Sequence, residues 1–238
     1  MASLEGRRIV VTGAASGIGA RTSQILAEAG ASLTLVDRDR DRVVAAAREL
    51  GAHACPVDVT DEAAVLAGMA TAAVAMGGVD GLVNAAGIMA TGPVEETPAE
   101  IFRRVVEINL TGVYIVTRAC LPYLRQSEGA SVVHVASAQG LLPNAPCHTA
   151  YAASKGGVVN LSRAMAAEFA PQIRVNCVCP GMVDTPMADG HRGNVGNYAL
   201  RRIADPAEIA RAILFLLSAE SSYVTGATLA VDGGRSFH

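Results

Sequence analysis

The strand-like segments of this 238-residue chain are unbroken apolar runs separated by helical patterns. In residues 9–12, three β-branched aliphatic residues stand in a row before a threonine. A strand with one solvated face alternates apolar and polar residues, so unbroken runs indicate strands buried on both faces. We therefore predict an α/β fold in which a doubly wound parallel sheet lies between two helical layers. The predicted strands span 9–12, 32–36, 53–57, 79–84, 131–136, 173–178 and 228–231.

The intervening segments have helical periodicity. The helix predicted over 98–126 has Thr97 as its N-cap and Glu100 at its third position. The pattern weakens at 186–204, which is rich in Gly, Asn, Arg and His and is predicted to be a short substrate lid. No linker or repeat interrupts the chain, so we predict one domain over residues 1–238. The predicted helices span 20–30, 38–50, 61–76, 98–126, 150–169 and 206–218.

Composition argues against several classes of protein. Hydrophobic residues make up 51% of the chain and charged residues 17%, which suits a large core and argues against disorder. The net charge is -3 and no cluster of Lys and Arg appears, so nucleic acid is not an expected partner. The N-terminus lacks the apolar run of a signal peptide, and no apolar segment reaches the roughly 18 residues that cross a membrane. We therefore expect a cytoplasmic protein without membrane association.

The five cysteines are odd in number and scattered, and they are expected to be reduced thiols. Cys177 and Cys179 fall in a predicted buried strand, and no second pair is present to complete a zinc site. We therefore expect no metal. Cys147 differs from the others because it lies in the loop that precedes Tyr151.

A glycine-rich turn follows the first predicted strand and precedes the first predicted helix. Its sequence, T-G-A-A-S-G-I-G at residues 12–19, has glycines at positions 13, 17 and 19. Glycines let the main chain turn tightly and approach a pyrophosphate, whose charge then lies at the N-terminus of the helix. A glycine triplet alone is common in turns, but its place between a strand and a helix predicts a dinucleotide site.

An acidic residue, Asp37, ends the second predicted strand. A carboxylate there accepts hydrogen bonds from both ribose hydroxyls of an adenosine and repels a 2′-phosphate, which favours NAD over NADP. The neighbouring Arg38 is a complication, because a guanidinium can hold a 2′-phosphate. At the end of the third strand, Asp58 and Val59 are placed to contact an adenine edge. Asp58 is equally suited to cap the helix that follows.

Tyr151 and Lys155 lie four residues apart in a predicted helix and therefore share one of its faces. A free phenol, with a pKa of about 10, is a weak base at neutral pH. A nearby ammonium stabilises the phenolate, so this pair suits proton transfer to and from an alcohol. The spacing alone is also that of an ordinary surface pair. The dinucleotide motifs upstream favour the catalytic interpretation.

Further motifs follow the glycine-rich turn in a fixed order. They are N-A-A-G at 84–87, N-L-T-G at 109–112, Ser137, Y-A-A-S-K at 151–155 and P-G at 180–181. In these motifs the chain resembles the short-chain dehydrogenases/reductases over nearly its whole length. The resemblance implies a Rossmann-like domain with strand order 3-2-1-4-5-6-7 and NAD(P)-dependent oxidation of alcohols or reduction of ketones. It also implies a homotetramer, or a homodimer, built on the helices at 98–126 and 150–169.

The resemblance implies a catalytic tetrad of Asn109, Ser137, Tyr151 and Lys155. Tyr151 is the acid–base group, and Lys155 stabilises its phenolate and hydrogen-bonds the nicotinamide ribose. Ser137 holds the substrate oxygen, and Asn109 bends its helix and binds a water that completes a proton path. The positions that match the family's cofactor contacts are Gly13, Ser16, Gly17, Ile18, Gly19, Asp37, Asp58, Val59, Asn84, Ala86, Gly87, Tyr151, Lys155, Pro180, Gly181, Val183 and Thr185.

The residues expected around the substrate are mainly apolar, with soft sulfur atoms. They are Ala138, Cys147, His148, Met182 and Met187. This composition favours a hydrophobic or cyclic secondary alcohol and its ketone. Two other functions stay open at this point. One is a 3-oxoacyl thioester reductase, which would prefer NADPH. The other is a nucleotide-binding regulatory protein without turnover, against which the intact tetrad argues.

Three arginines lie in the predicted lid, Arg192, Arg201 and Arg202. They are candidates to meet an anionic group such as a carboxylate or a phosphopantetheine. The simpler interpretation is that they are solvated charges or ion-pair partners of Asp205 and Glu208.

Overall fold

The computed structural model describes residues 3–189 and 195–236 of the chain. Its centre is a sheet of seven parallel strands in the order 3-2-1-4-5-6-7, which confirms the predicted topology. The order reverses between the first and fourth strands, and this leaves a crevice above their carboxyl ends. The strands are β1 (Arg8–Thr12), β2 (Ser32–Asp37), β3 (His53–Pro56), β4 (Gly81–Asn84), β5 (Ala130–Val135), β6 (Ile173–Pro180) and β7 (Thr228–Val231).

Helices connect the strands and cover both faces of the sheet. Those in the described part of the chain are α1 (Gly17–Glu28), α2 (Arg40–Leu50), α3 (Glu62–Met76), α4 (Ala99–Val106), α5 (Gly112–Leu124), α6 (Thr149–Phe169) and α7 (Pro206–Leu217). Helix α1 begins earlier than predicted, because the chain becomes helical within the glycine-rich turn itself.

Consecutive residues of β1 pack on opposite faces of the sheet, as the unbroken apolar runs predict. Ile9 and Val11 belong to the core that α1, α2 and α7 cover, whereas Val10 belongs to the core beneath α3, α5 and α6. All three side chains are fully buried. This packing on both faces fixes the strand ends at the crevice.

The long helix predicted over 98–126 is interrupted. Its middle, Glu107–Thr111, is a π-helical turn that separates α4 from α5. Such a turn inserts one residue into the helix and is frequent at functional sites. The predicted N-cap is wrong. The Thr97 hydroxyl donates to the Pro93 carbonyl at 2.7 Å, and α4 begins without a side-chain cap.

Polar side chains set the starts of other helices. The Asp61 carboxylate accepts a hydrogen bond from the Ala64 amide at 3.0 Å and caps α3. Asp58, the alternative candidate for a cap, instead accepts hydrogen bonds from the amide and hydroxyl of Thr60. The capping interpretation of Asp58 is therefore wrong, and its carboxylate stays beside the crevice.

All five cysteines are unbridged, and Cys147 alone among them is exposed. The Sγ atoms of Cys177 and Cys179 lie 3.9 Å apart in β6. The described residues contain no cluster of His, Cys, Asp and Glu that could hold a metal ion. Among the helices of residues 3–189 and 195–236, none is long and apolar enough to cross a membrane.

Candidate active site

The crevice above β1 and β4 contains two adjoining cavities. The first, of about 320 Å³, lies against the glycine-rich turn and the ends of β2 and β3. We call it the glycine-side cavity. The second, of about 430 Å³, lies against the ends of β5 and β6 and the start of α6, and we call it the tyrosine-side cavity. Both are lined by Ile18, Ala85, Gly87, Thr185 and Met187, so they form one continuous cleft.

The glycine-rich turn packs too closely against its surroundings to carry side chains. Gly13 has a φ of +67°, and a Cβ atom there would lie 2.8 Å from the main chain of Ala86. At Gly19, in the first turn of α1, a Cβ atom would lie 2.2 Å from the Gly13 carbonyl oxygen. The first residues of α1, Gly17 to Gly19, line the glycine-side cavity, which suits a pyrophosphate.

Asp37 is held at the glycine-side cavity by main-chain hydrogen bonds. One carboxylate oxygen accepts from the Ala15 amide at 3.1 Å, and the other accepts from the Asp39 amide at 3.0 Å. Arg38 and Arg42 line the same cavity, and both are exposed. The rim therefore carries the oriented carboxylate of Asp37, together with the carboxylates of Asp39 and Asp58 and the two exposed guanidinium groups.

Most of the residues predicted to contact the cofactor line one of the two cavities. Those on the glycine-side cavity are Gly13, Ser16, Gly17, Ile18, Gly19, Asp37, Asp58, Val59, Ala86, Gly87 and Thr185. Those on the tyrosine-side cavity include Tyr151, Lys155, Pro180, Gly181 and Val183.

Asn84 is the exception. Its Nδ2 donates to the Thr117 hydroxyl at 3.0 Å and lies 3.1 Å from Nδ1 of His134. His134 is its neighbour across β4 and β5, and Thr117 belongs to α5, so these contacts draw the amide into the core. The side chain is 2% exposed and lines neither cavity. The side chain therefore faces the core, and a cofactor contact of Asn84 stays a prediction.

Tyr151 and Lys155 project from α6 into the tyrosine-side cavity, as their spacing predicts. The Lys155 Nζ lies 5.8 Å from the centre of the Tyr151 ring and donates a hydrogen bond to the Val135 carbonyl at 2.9 Å. Burial lowers the pKa of Lys155 from 10.5 to about 8. Burial also raises the pKa of Tyr151, and a hydrogen bond with the Ser137 side chain opposes that shift.

Ser137 follows β5 and lies beside the Tyr151 phenol. Its hydroxyl accepts a hydrogen bond from the Gln139 amide at 3.2 Å, at the start of a short 3₁₀ turn. The residue lines the tyrosine-side cavity. A hydroxyl and a phenol on one cavity wall can together hold the oxygen of an alcohol or a carbonyl group.

Asn109 is fully buried in the π-helical turn, where the sequence predicts a local bend. Its Oδ1 accepts from the Ile88 amide at 2.8 Å, and its Nδ2 donates to the Ile88 carbonyl at 2.9 Å. Nδ2 also donates to the Ser154 hydroxyl at 3.0 Å. The side chain therefore joins the segment after β4 to α6 and lines neither cavity.

The predicted substrate-pocket residues Ala138, His148, Met182 and Met187 line the tyrosine-side cavity. Cys147 does not. It is exposed, has a φ of +63°, and its carbonyl accepts a hydrogen bond from the Gly92 amide at 2.9 Å. The chain turns at this residue and its thiol faces solvent, so the prediction that Cys147 lines the pocket is wrong.

Five polar residues of the tyrosine-side cavity were not predicted from the sequence, namely Gln139, Asn144, Asn197, Tyr198 and Arg235. Arg235 is 5% exposed, and its Nη2 donates to the Asn144 Oδ1 at 2.6 Å. Its guanidinium carbon lies 5.7 Å from the centre of the Tyr198 ring. The sequence position of Arg235, just after the last strand, could have indicated it. Residues that follow parallel strands lie at the same edge of the sheet, which is where the cleft is.

His134 lies in the core below the cleft and was also missed. Burial and the nearby charge of Lys155 lower its pKa to about 3. Its Nε2 is buried and has no hydrogen-bond partner among the described residues. The imidazole is therefore neutral at physiological pH.

The predicted lid is described in part. Residues 190–194, with Arg192, lie outside the described residues. On either side are short 3₁₀ turns at Pro186–Ala188 and Val195–Asn197. Arg202 forms a salt bridge with Glu208 at 2.7 Å, which confirms the simpler interpretation of this arginine.

Comparisons with known proteins agree with this geometry. A family model described as Enoyl-(Acyl carrier protein) reductase matches residues 13–236. The chain is similar to cis-4-hydroxycyclohexanecarboxylate dehydrogenase of Sinomonas cyclohexanicum, at 43% identity over 96% of this chain and 96% of that protein. It is also similar to the protein named inactive 2-(S)-hydroxypropyl-CoM dehydrogenase 2 of Xanthobacter autotrophicus, at 41% identity over 87% of this chain and 96% of that protein.

Among solved structures, the chain is similar to 3-ketoacyl-(acyl-carrier-protein) reductase from Brucella melitensis complexed with NADH. The TM-score is 0.95 at 36% identity, over 99% of this chain and 100% of that one.

Proposed function

The chain belongs to the short-chain dehydrogenase/reductase family, and we propose that it is an NAD(H)-dependent enzyme that interconverts a secondary alcohol and its ketone. The observation that carries this proposal is the convergence of Ser137, Tyr151 and Lys155 on one cavity, adjoining the cavity of the glycine-rich turn. One relative is named as inactive, so membership of the family does not by itself show that a chain is catalytically active. A buried phenol beside a buried amine supports turnover, because a binding protein has no use for this pair.

In alcohol oxidation, Tyr151 accepts the hydroxyl proton while Ser137 holds the oxygen. Burial raises the pKa of the phenol, so a positive charge must lie beside it for the residue to act as a base near neutral pH. Lys155 supplies that charge below its pKa of about 8. Nicotinamide supplies, when bound, the carbon that accepts the hydride. In ketone reduction Tyr151 returns the proton to the substrate oxygen.

The residues of the cleft fit a dinucleotide, and the family's fold binds a nicotinamide cofactor. The wall of the glycine-side cavity at this turn includes Gly13, Gly17 and Gly19, beside the N-terminus of α1. The nicotinamide end would be held by Pro180, the last residue of β6, and by Gly181, Val183 and Thr185 after it, all of which line the tyrosine-side cavity.

We propose NAD rather than NADP because of Asp37. The Ala15 and Asp39 amides orient its carboxylate at the glycine-side cavity. A carboxylate in this place suits ribose hydroxyls and repels a 2′-phosphate. Arg38 is exposed, so solvent screens its charge, whereas the Asp37 carboxylate is held in place by two amides.

The proposed substrate is a hydrophobic or cyclic secondary alcohol. Ala138, Met182 and Met187 give the tyrosine-side cavity an apolar wall, and methionine side chains adapt to the shape of a ligand. The relative from Sinomonas cyclohexanicum acts, by its name, on a cyclic secondary alcohol. A cavity of about 430 Å³ that must also admit a nicotinamide leaves room for a small ring.

The substitution Tyr151→Phe tests the catalytic assignment by removing one oxygen atom. We expect kcat for the oxidation of secondary alcohols to fall by about 10²–10⁴-fold while the affinity for NAD⁺ is unchanged. The readouts are the absorbance of NADH across a panel of cyclic alcohols and a titration of cofactor binding. Tyr223→Phe is the matched control, since Tyr223 is fully exposed. Near-normal turnover of Tyr151→Phe would refute the assignment.

A 3-oxoacyl thioester reductase is the second candidate function. The matching family model and one similar solved structure both have acyl-carrier-protein names. An enzyme of this kind should reduce acetoacetyl-CoA and prefer NADPH. Comparing kcat/KM for acetoacetyl-CoA with NADPH and for cyclohexanone with NADH distinguishes the two functions.

We also propose that the chain forms a homotetramer, or a homodimer, through α4, α5 and α6. Three large apolar side chains on α4 and α5 support this assembly, with exposed fractions of 41% for Ile101, 41% for Phe102 and 48% for Tyr114. Light scattering of the purified protein tests the proposal, and a monomer at micromolar concentration would contradict it.

A further inference from the structure

The tyrosine-side cavity contains a buried cation, and no acidic partner for it is found within residues 3–189 and 195–236. Arg235 is 5% exposed and lines the cavity. No aspartate or glutamate lines this cavity in the described parts of the chain. Among the described residues, no salt bridge involves Arg235. Because an unpaired charge is costly to bury, such a group is expected to have a counter-ion in the working protein.

The contacts of Arg235 orient its guanidinium without neutralising it. Nη2 donates to the Asn144 Oδ1 at 2.6 Å, and the guanidinium carbon lies 5.7 Å from the centre of the Tyr198 ring. Both partners are uncharged. Asp232, the nearest acid along the chain, accepts hydrogen bonds at both carboxylate oxygens from the residues that follow it. The positive charge therefore faces the cavity.

We propose that Arg235 binds a carboxylate on the substrate, so that the enzyme acts on hydroxy acids and their oxo acids. The inference rests on the proposed function and narrows its substrate. The alcohol would lie at Ser137 and Tyr151, and the carboxylate would lie at Arg235. One of the five guanidinium donors is used by Asn144, and the others are suited to a two-point contact with a carboxylate.

The charge of the cavity selects a carboxylate over a phosphate. Lys155 and Arg235 carry its two full positive charges among the described lining residues, and Lys155 is engaged with Val135 beside Tyr151. One guanidinium balances one negative charge, whereas a phosphate monoester carries nearly two. The apolar wall at Met182 suits the hydrocarbon part of the substrate between its two polar ends.

The test compares a hydroxy acid with its neutral amide. We expect wild-type protein with NAD⁺ to oxidise cis-4-hydroxycyclohexanecarboxylate with a kcat/KM about 10- to 100-fold above that for the corresponding carboxamide. Arg235→Met should bring the two values together by raising KM for the acid with kcat little changed. Arg235→Lys should restore part of the preference. Arg48→Met, at an exposed position in α2, is the control for loss of an arginine.

Each outcome has a separate meaning. Equal kcat/KM for acid and amide in the wild type would overturn the carboxylate site while leaving the proposed function intact. A lower Tm of Arg235→Met with an unchanged acid-to-amide ratio would show a purely structural role and would also overturn it.

Oxidation of neither the hydroxy acid nor its amide would count against the proposed function. In that case a binding measurement still tests the carboxylate site. We expect calorimetry to show cyclohexanecarboxylate binding to NADH-loaded wild type about tenfold or more tightly than to Arg235→Met. Binding that is equal in the two proteins would reject the site.

Discussion

The ammonium of Lys155 lies 5.8 Å from the centre of the Tyr151 ring, and both side chains are buried against the same cavity. The hydrogen bond from Lys155 to the Val135 carbonyl holds the amine in the interior. Burial favours the neutral form of each group, since it lowers the pKa of Lys155 and raises that of Tyr151. Charging either group is therefore expected to lower the free energy of unfolding, and the same two groups are proposed to act in proton transfer.

The substitution Lys155→Met is expected to change how stability depends on pH. The pKa of Lys155 is about 8 in the folded protein against an ordinary 10.5, so between these values the unfolded state binds more protons and stability rises with pH. From pH 7 to pH 9.5 the wild type should gain about 2 kcal/mol relative to Lys155→Met. Urea unfolding of both proteins without cofactor measures the difference. A difference that does not vary with pH would contradict this prediction.

The buried His134 should make the protein sensitive to mild acid. The pKa of His134 is about 3 in the folded protein against an ordinary 6.5. Below pH 6.5 the unfolded state therefore binds more protons than the folded state, and the free energy of unfolding falls as the pH decreases. Between pH 7 and pH 5 the wild type should lose about 2 kcal/mol relative to His134→Gln.

Unfolding of both proteins at the two pH values checks the His134 prediction. His53→Gln, at an exposed position in β3, is the matched control and should follow the wild type. Parallel losses in wild type and His134→Gln would show that other groups cause the acid sensitivity.

Replacing Asp37 by alanine should weaken the preference for NAD⁺. The substitution removes the oriented carboxylate and leaves Arg38 to meet a 2′-phosphate. We expect the ratio of kcat/KM for NAD⁺ to that for NADP⁺ to fall by about 10- to 100-fold. Asp41→Ala, in the exposed first turn of α2, should leave the ratio unchanged. A wild-type preference for NADP⁺ would refute the role given to Asp37.

A single methyl group at Gly19 should disrupt cofactor binding. It would lie 2.2 Å from the Gly13 carbonyl oxygen, so the turn or the start of α1 must move. Overpacking of this kind costs about 1–3 kcal/mol, and we expect KM for NAD⁺ to rise about tenfold or more in Gly19→Ala. Gly156→Ala is the control, since the nearest atom there would be 3.8 Å from the new methyl group. Equal KM values in both variants would contradict the prediction.

Local patterns in the sequence predict those parts of the structure that depend on backbone geometry. The apolar run at residues 9–12 predicts a strand packed on both faces, and the spacing of Tyr151 and Lys155 predicts that they share one face of α6. Both conclusions follow from the periods of strands and helices, which need no knowledge of distant contacts.

The directions of single side chains were less predictable. Asn84 turns into the core because Thr117 and His134 offer hydrogen-bond partners there, and neither is near it in sequence. Arg235 reaches the cavity through its contact with Asn144, ninety-one positions earlier in the chain. Such contacts depend on the completed fold, so no local pattern contains them.

The hydrogen bond from the Ala15 amide to Asp37 connects the turn suited to phosphate with the residue proposed to discriminate between cofactors. A lineage that replaces Asp37 to admit a different cofactor also removes a support of that turn. A substitution at Asp37 is therefore expected to affect both the proposed cofactor preference and the conformation of the glycine-rich turn. A lineage that changes its cofactor preference at Asp37 is therefore expected to benefit from a second substitution that again supports the Ala15 amide.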